Sequence, residues 1–266
     1  MKRAIRVGDR TCEFESDDQY LARMPDVFEP NMVQLFRALV RPDMAVADVG
    51  ANIGMTAVLF SQLARAVQAF EPAPSTHAFL VRNIAANGCT NVEVVNAGFG
   101  DQASTLTLAF AETDRSGGFV SGAIRPGAGH RMESVRIETL DGFYGGGRPA
   151  PGFIKIDVEG FEPNVIRGGQ RLLAEHKPVV VLELNHFCLN VLQRVALPDF
   201  LDLLRATFPV AIAVDADNVH MGNLHDPDTA YAVMHAHVTK FRYPNVVCGF
   251  DMRLHRILAQ LRAEAA

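Results

Sequence analysis

The feature that most constrains the fold is a regular alternation of short apolar runs with stretches of helical periodicity. Ala45–Val49 is an apolar run that ends at Gly50, residues 53–65 carry apolar side chains at helical spacing, and Ala66–Phe70 is a second apolar run. Strands separated by helices of about 10–15 residues are typical of βαβ units and a parallel sheet. The sequence therefore predicts an α/β protein with a doubly wound, mostly parallel sheet.

The alternation continues to the end of the chain. The further predicted strands lie at 92–95, 153–158, 178–184, 210–214 and 245–250, and the further predicted helices at 75–87, 162–175, 197–207, 226–240 and 252–263. We predict one main domain over residues 45–266. Residues 1–44 form a polar lead and a helix starting near Pro30 that packs on this domain.

The alternation breaks between about residues 102 and 140, where we predict an insertion. Residues 104–110 and 134–137 have the pattern of two paired strands, and the glycine-rich stretch 111–133 predicts a long loop. The basic side chains of that stretch are Arg115, Arg125, His130 and Arg131. They suggest a mobile lid that closes on an acceptor bearing phosphate or carboxylate. A flexible loop with solvated charges is the alternative.

The composition indicates an ordinary globular protein and argues against several functional classes. The net charge is −5, which disfavours a nucleic-acid partner, because such proteins present a basic surface. The four cysteines form no CxxC pair, and no apolar run reaches the roughly 18 residues of a membrane helix. We therefore expect free thiols, no membrane span and a cytoplasmic location. Apolar positions near the first long helix could support a homodimer.

The turn after the first predicted strand of the main domain, Asp48-Val-Gly-Ala-Asn-Ile-Gly54, has the pattern of a cofactor loop. Gly50 permits a sharp turn, Asn52 tolerates the left-handed backbone region, and Gly54 permits close approach at the helix start. Glu71 ends the next strand 21 residues after Gly50, where a carboxylate can accept hydrogen bonds from a ribose diol. Together these residues indicate an adenosine-type cofactor.

The spacing of this turn differs from the dinucleotide fingerprint G-x-G-x-x-G, because Asp48 stands two residues before the first glycine. Its carboxylate would repel a pyrophosphate and suits the ammonium group of a methionine moiety, so the turn favours S-adenosylmethionine over NAD. The further predicted cofactor contacts are Ala51, Pro72, Ala97, Gly98, Phe99 and Asp157. Phe99 is a candidate to stack on the adenine, although its segment could also be a plain turn.

Five segments of the chain, in this order, resemble the FkbM-type methyltransferase family. They are Val46-Ala-Asp-Val-Gly-Ala-Asn-Ile-Gly54, Phe70-Glu-Pro72, Ile137-Glu-Thr-Leu-Asp141, Ile154-Lys-Ile-Asp-Val-Glu-Gly160 and Val181-Leu-Glu183, within roughly residues 44–185. The resemblance implies a seven-stranded, Rossmann-like class I methyltransferase sheet with one antiparallel strand. It also implies S-adenosylmethionine as the donor and O-methylation of a hydroxyl on a sugar, glycan or secondary metabolite. The alternatives are a nucleotide-dependent oxidoreductase and a non-catalytic S-adenosylmethionine-binding module.

Methyl transfer to a hydroxyl requires alignment of the two reactants and removal of the hydroxyl proton. Asp157 and Glu159 end the fourth predicted parallel strand two residues apart, and so on one face. His186 follows the fifth. These three side chains are the candidate general bases. The carboxylates could instead cap a helix or brace a loop, and His186 could be a packed histidine.

A metal offers a second route to hydroxyl activation. Asp157, Glu183 and Asn185 could hold a divalent cation, Mg²⁺ or Ca²⁺, that lowers the pKa of the hydroxyl. The alternative for Glu183 is a salt bridge to Lys155 on the neighbouring strand. We expect no histidine metal site. His235 and His237 are two residues apart on a predicted helix, so their side chains point in different directions.

Overall fold

The structure is a computed structural model that describes residues 1–121 and 129–265. Its strands are β1 (Lys2–Val7), β2 (Arg10–Glu15), β3 (Ala45–Val49), β4 (Ala66–Phe70), β5 (Val92–Val95), β6 (Gly98–Phe99), β7 (Ser104–Ala111), β8 (Asp114–Val120), β9 (His130–Glu138), β10 (Phe153–Ile156), β11 (Val179–Glu183), β12 (Val210–Val214), β13 (Met221–Asn223) and β14 (Asn245–Gly249). Its helices are α1 (Tyr20–Arg23), α2 (Pro30–Leu39), α3 (Met55–Leu63), α4 (Pro74–Ala86), α5 (Leu140–Tyr144), α6 (Glu162–Arg167), α7 (Gln170–His176), a π-helix (Cys188–Leu192), α8 (Leu197–Thr207), α9 (Pro227–Lys240) and α10 (Arg253–Ala265).

A mixed sheet with the strand order β13-β12-β14-β11-β10-β3-β4-β5 forms the centre of the molecule. The neighbouring strands from β11 to β5 run parallel, whereas β14 is antiparallel to both β11 and β12. Seven of the eight strands are the predicted ones, and the predicted fold class is confirmed. The eighth, β13, pairs with β12 at the sheet edge and is only three residues long, too short for a periodic signal.

Helices cover both faces of this sheet, because successive strand residues point to opposite faces. Val181 packs in a core cluster with α2, α3, α4 and α10, whereas its neighbours Val180 and Leu182 pack in a second cluster with α5 to α9. A strand buried on both faces must be apolar along its length, as β11 is up to Leu182. The doubly wound arrangement therefore follows from the apolar runs.

The N-terminal lead is a β-hairpin, which we did not predict. Alternate residues of β1 and β2, such as Ile5 and Phe14, are buried against the main domain. Asn83 in α4 and Asn87 just after it form hydrogen bonds with the backbone at the free edge of β2. The side-chain amide of Asn83 exchanges hydrogen bonds of 2.8 and 3.1 Å with the backbone of Glu15. These side-chain amides thus satisfy the backbone N–H and C=O groups that a neighbouring strand would otherwise bind.

The insertion is a four-stranded sheet with the order β6-β9-β7-β8. The predicted pairing of residues 104–110 with 134–137 is confirmed, with Leu106 opposite Val135. The predicted loop over 111–133 is wrong in part, because β8 lies within it and pairs antiparallel with β7. The proposed lid residue Arg125 lies outside the described residues, and Arg115 belongs to β8.

The predicted helix at 162–175 is two helices, α6 and α7, with Gly168 and Gly169 between them. A Cβ on Gly168 would lie 1.9 Å from the carbonyl oxygen of Gly100, so the chain here packs directly against the loop after β6. None of the helices in residues 1–121 and 129–265 has the length and apolar character to span a membrane.

Candidate active site

Two neighbouring cavities open at the carboxyl ends of the central strands, where ligands bind in open α/β sheets. The turn cavity, of about 200 Å³, lies between the turn at Gly50 and the inserted strand β8. The acidic cavity, of about 370 Å³, is lined by Glu29 and Asp215 among other residues. Asp157 and Glu183 line both cavities, so the two spaces meet at these carboxyl groups.

The turn after β3 brings backbone rather than side chains to the cavity. Gly50 has a φ of +81°, and a Cβ there would lie 1.9 Å from the carbonyl oxygen of Asp157. Only glycine therefore fits between β3 and the end of the neighbouring strand β10. Asn52 has a φ of +50°, which confirms the predicted left-handed conformation. This close approach places the turn directly beside Asp157.

Glu71 forms one wall of the turn cavity, as predicted for a ribose-binding carboxylate. Its two carboxylate oxygens accept hydrogen bonds from the backbone N–H of Asn52 at 3.1 Å and of Ala73 at 2.9 Å. Burial raises the pKa of Glu71 to about 7, against the opposing effect of these two bonds. The side chain is thus fixed beside the turn before any ligand binds.

Lys155 is a buried cation that connects the turn to the catalytic candidates. Its Nζ lies 3.5 Å from Asp48 and 3.2 Å from Asp157, and it donates a 2.8 Å hydrogen bond to the carbonyl of Gly50. Burial acts to lower the pKa of Lys155, but the two carboxylates outweigh burial and raise it. The alternative pairing of Glu183 with Lys155 is wrong, because Lys155 has these other partners.

Asp48 lies beneath the turn and does not line either cavity. It is fully buried, and its carboxylate accepts a 2.7 Å hydrogen bond from the Thr56 hydroxyl in addition to its ion pair. Its carboxylate therefore positions Lys155 and the start of α3 in this structure. The predicted contact with a cofactor ammonium has no support from this geometry.

Three carboxyl groups face the place where the cavities meet: Asp157, Glu159 and Glu183. Asp157 is 44% exposed and ion-paired, whereas the other two are more deeply placed. Burial and then the charge of Asp157 raise the pKa of Glu159 to about 7 and that of Glu183 well above its usual range. Asp157 differs from both in its ion pair with the buried Lys155.

The positions of the first two carboxyl groups differ from the prediction. β10 ends at Ile156, so Asp157 and Glu159 lie in the turn after the strand and not on one strand face. Glu159 has a φ of +53° and accepts a 3.2 Å hydrogen bond from the Cys188 thiol. Both side chains nevertheless line the turn cavity.

Two other predicted residues lie elsewhere. The Asn185 side-chain oxygen accepts a 3.2 Å hydrogen bond from the backbone N–H of Cys188. The ring of His186 packs against His237 at 5.0 Å and Phe241 at 5.4 Å between centroids. The chain turns away from the cavities after β11, so neither residue lines them.

These positions bear directly on the predicted metal site. The described part of the chain contains no group of three or more His, Cys, Asp or Glu side chains that could hold a metal ion. The proposed ligands Asp157, Glu183 and Asn185 are not brought together, because the Asn185 oxygen begins the turn that leads to the π-helix. The geometry gives the metal route no support.

The remaining predicted cofactor residues differ in whether they line a cavity. Pro72 and Gly98 line the turn cavity, and Ala51 lines a smaller cavity that shares Gly50, Asn52 and Asp157 with it. Gly54 and Ala97 line neither. Phe99 reaches the cavity wall, but its ring packs against Phe70 at 4.7 Å and Phe143 at 5.7 Å, so it is not free to stack on an adenine.

The outer wall of the turn cavity was not predicted. It is formed by Tyr20, Leu108, Arg115, Ser116, Gly118, Val120, Ile137 and Phe161. Most of these residues belong to the insertion, and Tyr20 comes from the N-terminal lead. They are far apart in sequence, so local periodicity cannot place them together. The one available signal was the cluster of basic residues in the glycine-rich stretch.

The acidic cavity was also not predicted. Glu29, at the N-terminus of α2, contributes a carboxyl group whose pKa is raised by burial and then by Asp157. On the far side, Asp215 binds the backbone N–H groups of Val219 and His220 at 2.9 and 3.0 Å. Carboxyl groups therefore outnumber the one cation, Lys155, in this cavity.

The central sheet is doubly wound, with β14 and the edge strand β13 antiparallel to the other strands rather than the one antiparallel strand that was expected, and its glycine turn follows β3; this is the class I methyltransferase type of fold. The sequence model of the methyltransferase FkbM domain matches residues 48–206, more than half of the chain. The chain therefore belongs to the FkbM methyltransferase family, which confirms the predicted family. This membership implies S-adenosylmethionine as the cofactor and disfavours the oxidoreductase and binding-module alternatives.

Known relatives are similar over part of their length. Hexuronic acid methyltransferase AglP of Haloferax volcanii is 29% identical over 163 residues, which are 58% of this chain and 61% of that protein. The chain thus matches less than two thirds of this relative. A methyltransferase FkbM structure from Methylobacillus flagellatus KT has 19% identity and a TM-score of 0.45, over 66% of this chain and 43% of that one. A precorrin-6y C5,15-methyltransferase structure from Geobacter metallireducens GS-15 has 17% identity and a TM-score of 0.46, over 80% and 85%.

Proposed function

We propose that this protein transfers a methyl group from S-adenosylmethionine to a hydroxyl of a sugar or glycan. The observation that carries the proposal is the position of Asp157, a half-exposed carboxylate that touches the glycine turn and lines both cavities. The AglP relative, whose name describes a methyltransferase acting on hexuronic acid, supports a sugar as the acceptor.

The residues around the turn fit the proposed cofactor. Gly50, Asn52 and Glu71 line the turn cavity together, and the Glu71 carboxylate is held there by the backbone N–H of Asn52. A ribose diol would bind the Glu71 carboxylate, with the base along Pro72 and Gly98. The amino-acid end of the cofactor would face Lys155 and the acidic cavity, which suits its carboxylate and ammonium groups respectively.

When bound, S-adenosylmethionine would supply an electrophilic methyl group to the acceptor oxygen, with the new C–O bond formed as the C–S bond breaks. Asp157 accepts the hydroxyl proton at or after this step. The ion pair with Lys155 fixes the direction of the Asp157 carboxylate. Glu159 and Glu183, whose pKa values burial and then the charge of Asp157 raise, would donate hydrogen bonds to acceptor oxygens.

The first test is calorimetric titration with S-adenosylmethionine, S-adenosylhomocysteine and NAD, followed by methyl-transfer assays on sugars. We expect the first two ligands to bind, and binding of NAD alone would refute the proposal.

The second test is Asp157→Asn, which keeps the shape of the side chain and removes the base. We expect turnover to fall by roughly 10²- to 10⁴-fold while S-adenosylhomocysteine still binds. Asp251→Asn is the matched control, because Asp251 is also a half-exposed, ion-paired carboxylate, here with Arg253, but does not line either cavity. Full turnover by Asp157→Asn would remove Asp157 from the chemistry.

A further inference from the structure

The outer wall of the turn cavity contains a buried arginine with unused donors. The Arg115 side chain is only 6% exposed, and its Nη2 lies 2.8 Å from the carboxylate of Asp17. Its Nε and Nη1 are buried, and neither has a hydrogen-bond partner within residues 1–121 and 129–265. Arg115 nonetheless lines the turn cavity, so these donors are available to a ligand there.

The surroundings hold this guanidinium in place. Its Cζ lies 5.3 Å from the ring centroid of Phe79 and 5.8 Å from that of Phe110, and its backbone N–H donates a 2.9 Å hydrogen bond to Asp18. A buried charged donor without a partner is costly, and a planar guanidinium matches a carboxylate with two parallel hydrogen bonds. The arrangement is therefore that of a preformed site for a carboxylate.

The charge distribution indicates which carboxylate Arg115 would bind. The cofactor has one carboxylate, at its amino-acid end, and the cation nearest to the glycine turn is Lys155, 2.8 Å from the Gly50 carbonyl. Arg115 lies instead on the inserted strand, beside Tyr20 and Ser116. Among the described residues, Lys155 is the one cation that lines the acidic cavity and Arg115 the one cation that lines the turn cavity, so Arg115 is the cation left for a carboxylate of the acceptor.

We propose that Arg115 binds a carboxylate of the acceptor, which makes the substrate class a sugar acid of the uronate type, methylated on a hydroxyl. This inference rests on the proposed methyltransferase function. The carboxylate would act as the anchor, and Asp157, which lines the same cavity, would receive the proton of a hydroxyl on the same sugar.

The test measures binding of two matched sugars, methyl glucuronide and methyl glucoside, to the protein saturated with S-adenosylhomocysteine. We expect wild-type protein to bind the glucuronide at least about 10-fold more tightly, as for a charge-assisted pair. Arg115→Met should abolish this preference and Arg115→Lys should retain part of it. The control Arg131→Met, an exposed arginine of β9, should keep the full preference.

The outcomes separate this inference from the proposed function. A wild-type protein that binds S-adenosylhomocysteine but shows no preference for the glucuronide, or binds neither sugar, would overturn the assignment of Arg115 alone. Loss of S-adenosylhomocysteine affinity in folded Arg115→Met would place Arg115 on the cofactor and also overturn it. A product methylated on the carboxylate would do the same, because the anchor would then be the nucleophile. Failure of wild-type protein to bind S-adenosylhomocysteine would refute the proposed function itself.

Discussion

The two walls of the turn cavity are built in different ways. The inner wall, formed by residues 50–52 with Glu71 and Asp157, is positioned by backbone contacts between adjacent strands. The outer wall, formed by Tyr20 and strand β8, is positioned by side chains from a distant part of the chain. The inner wall can therefore change little without disturbing the sheet, whereas the outer wall can vary and is suited to determine which acceptor binds.

The contacts that hold the outer wall come from the segment just after the N-terminal hairpin. Asp17 pairs with the Arg115 guanidinium, Asp18 accepts from the Arg115 backbone, and the Gln19 N–H donates to the Thr113 carbonyl at 2.9 Å. These three contacts join residues about a hundred positions apart, and each depends on a short surface segment. The comparison predicts that inner-wall variants affect folding and cofactor binding, and outer-wall variants affect acceptor binding.

The largest effect should come from Gly50→Ala. The new Cβ would lie 1.9 Å from the Asp157 carbonyl oxygen, at a backbone φ of +81° that disfavours any side chain. We expect the free energy of unfolding to fall by more than about 3 kcal/mol and S-adenosylhomocysteine binding to be lost. Chemical denaturation and calorimetry measure the two quantities.

Gly146→Ala is the control for this variant, because a Cβ there meets no atom within 4 Å and the backbone is not left-handed. Its free energy of unfolding should stay within about 0.5 kcal/mol of wild type. A Gly50→Ala protein as stable as this control, with unchanged ligand affinity, would show that the inner wall is not held by backbone contact.

The difference between the two walls also explains why the sequence predicted the inner wall and not the outer one. Gly50, Asn52 and Glu71 lie in one βα unit and the strand that follows it, so spacing alone placed them correctly. The strands that are apolar along their whole length likewise predicted a sheet covered on both faces. The Asp17–Arg115 pair spans 98 residues, and no local pattern encodes such a contact.

Errors at the site arose where the chain leaves a strand. The end of β11 at Glu183 predicts His186 near the site, but the chain turns there and the imidazole packs against His237. The strand order also allows Lys155 to pair with Glu183, yet it pairs with Asp48 on the other neighbouring strand. The position of a residue along a predicted strand shows which end of the sheet it occupies. It does not show which of the two neighbouring strands its side chain contacts.

An intermediate effect is expected from a buried carboxyl group beneath the inner wall. Glu162 accepts hydrogen bonds from the backbone N–H of Val158 at 3.0 Å and of Gly160 at 3.3 Å, and its other oxygen is buried without a partner in the described chain. Burial raises the pKa of Glu162 to about 8. This group therefore supports the turn that carries Asp157 and Glu159.

The sign of its pH effect follows from that pKa. Between about pH 4.5 and 8 the folded protein keeps the Glu162 proton and the unfolded chain loses it. The contribution to stability is thus complete below pH 4.5 and is lost as the pH rises to 8, at roughly 1 kcal/mol per pH unit. Denaturation of Glu162→Gln from pH 5 to 8 should show a correspondingly smaller decline than wild type. The exposed-site control Glu175→Gln should keep the wild-type slope, and equal slopes in all three proteins would contradict the assignment.

The smallest effect should come from Asp17→Asn, in the outer wall. Asp17 is 57% exposed, so its pair with Arg115 contributes about 0–1 kcal/mol, and the loss should act through the orientation of the guanidinium. We expect the preference for methyl glucuronide over methyl glucoside to fall by about 2- to 5-fold, with unchanged S-adenosylhomocysteine affinity. Asp26→Asn is the control, because Asp26 forms a similar exposed pair with Arg3 and does not line either cavity. A change in cofactor affinity without a change in sugar preference would reverse the roles of the two walls, since the outer wall would then serve the cofactor.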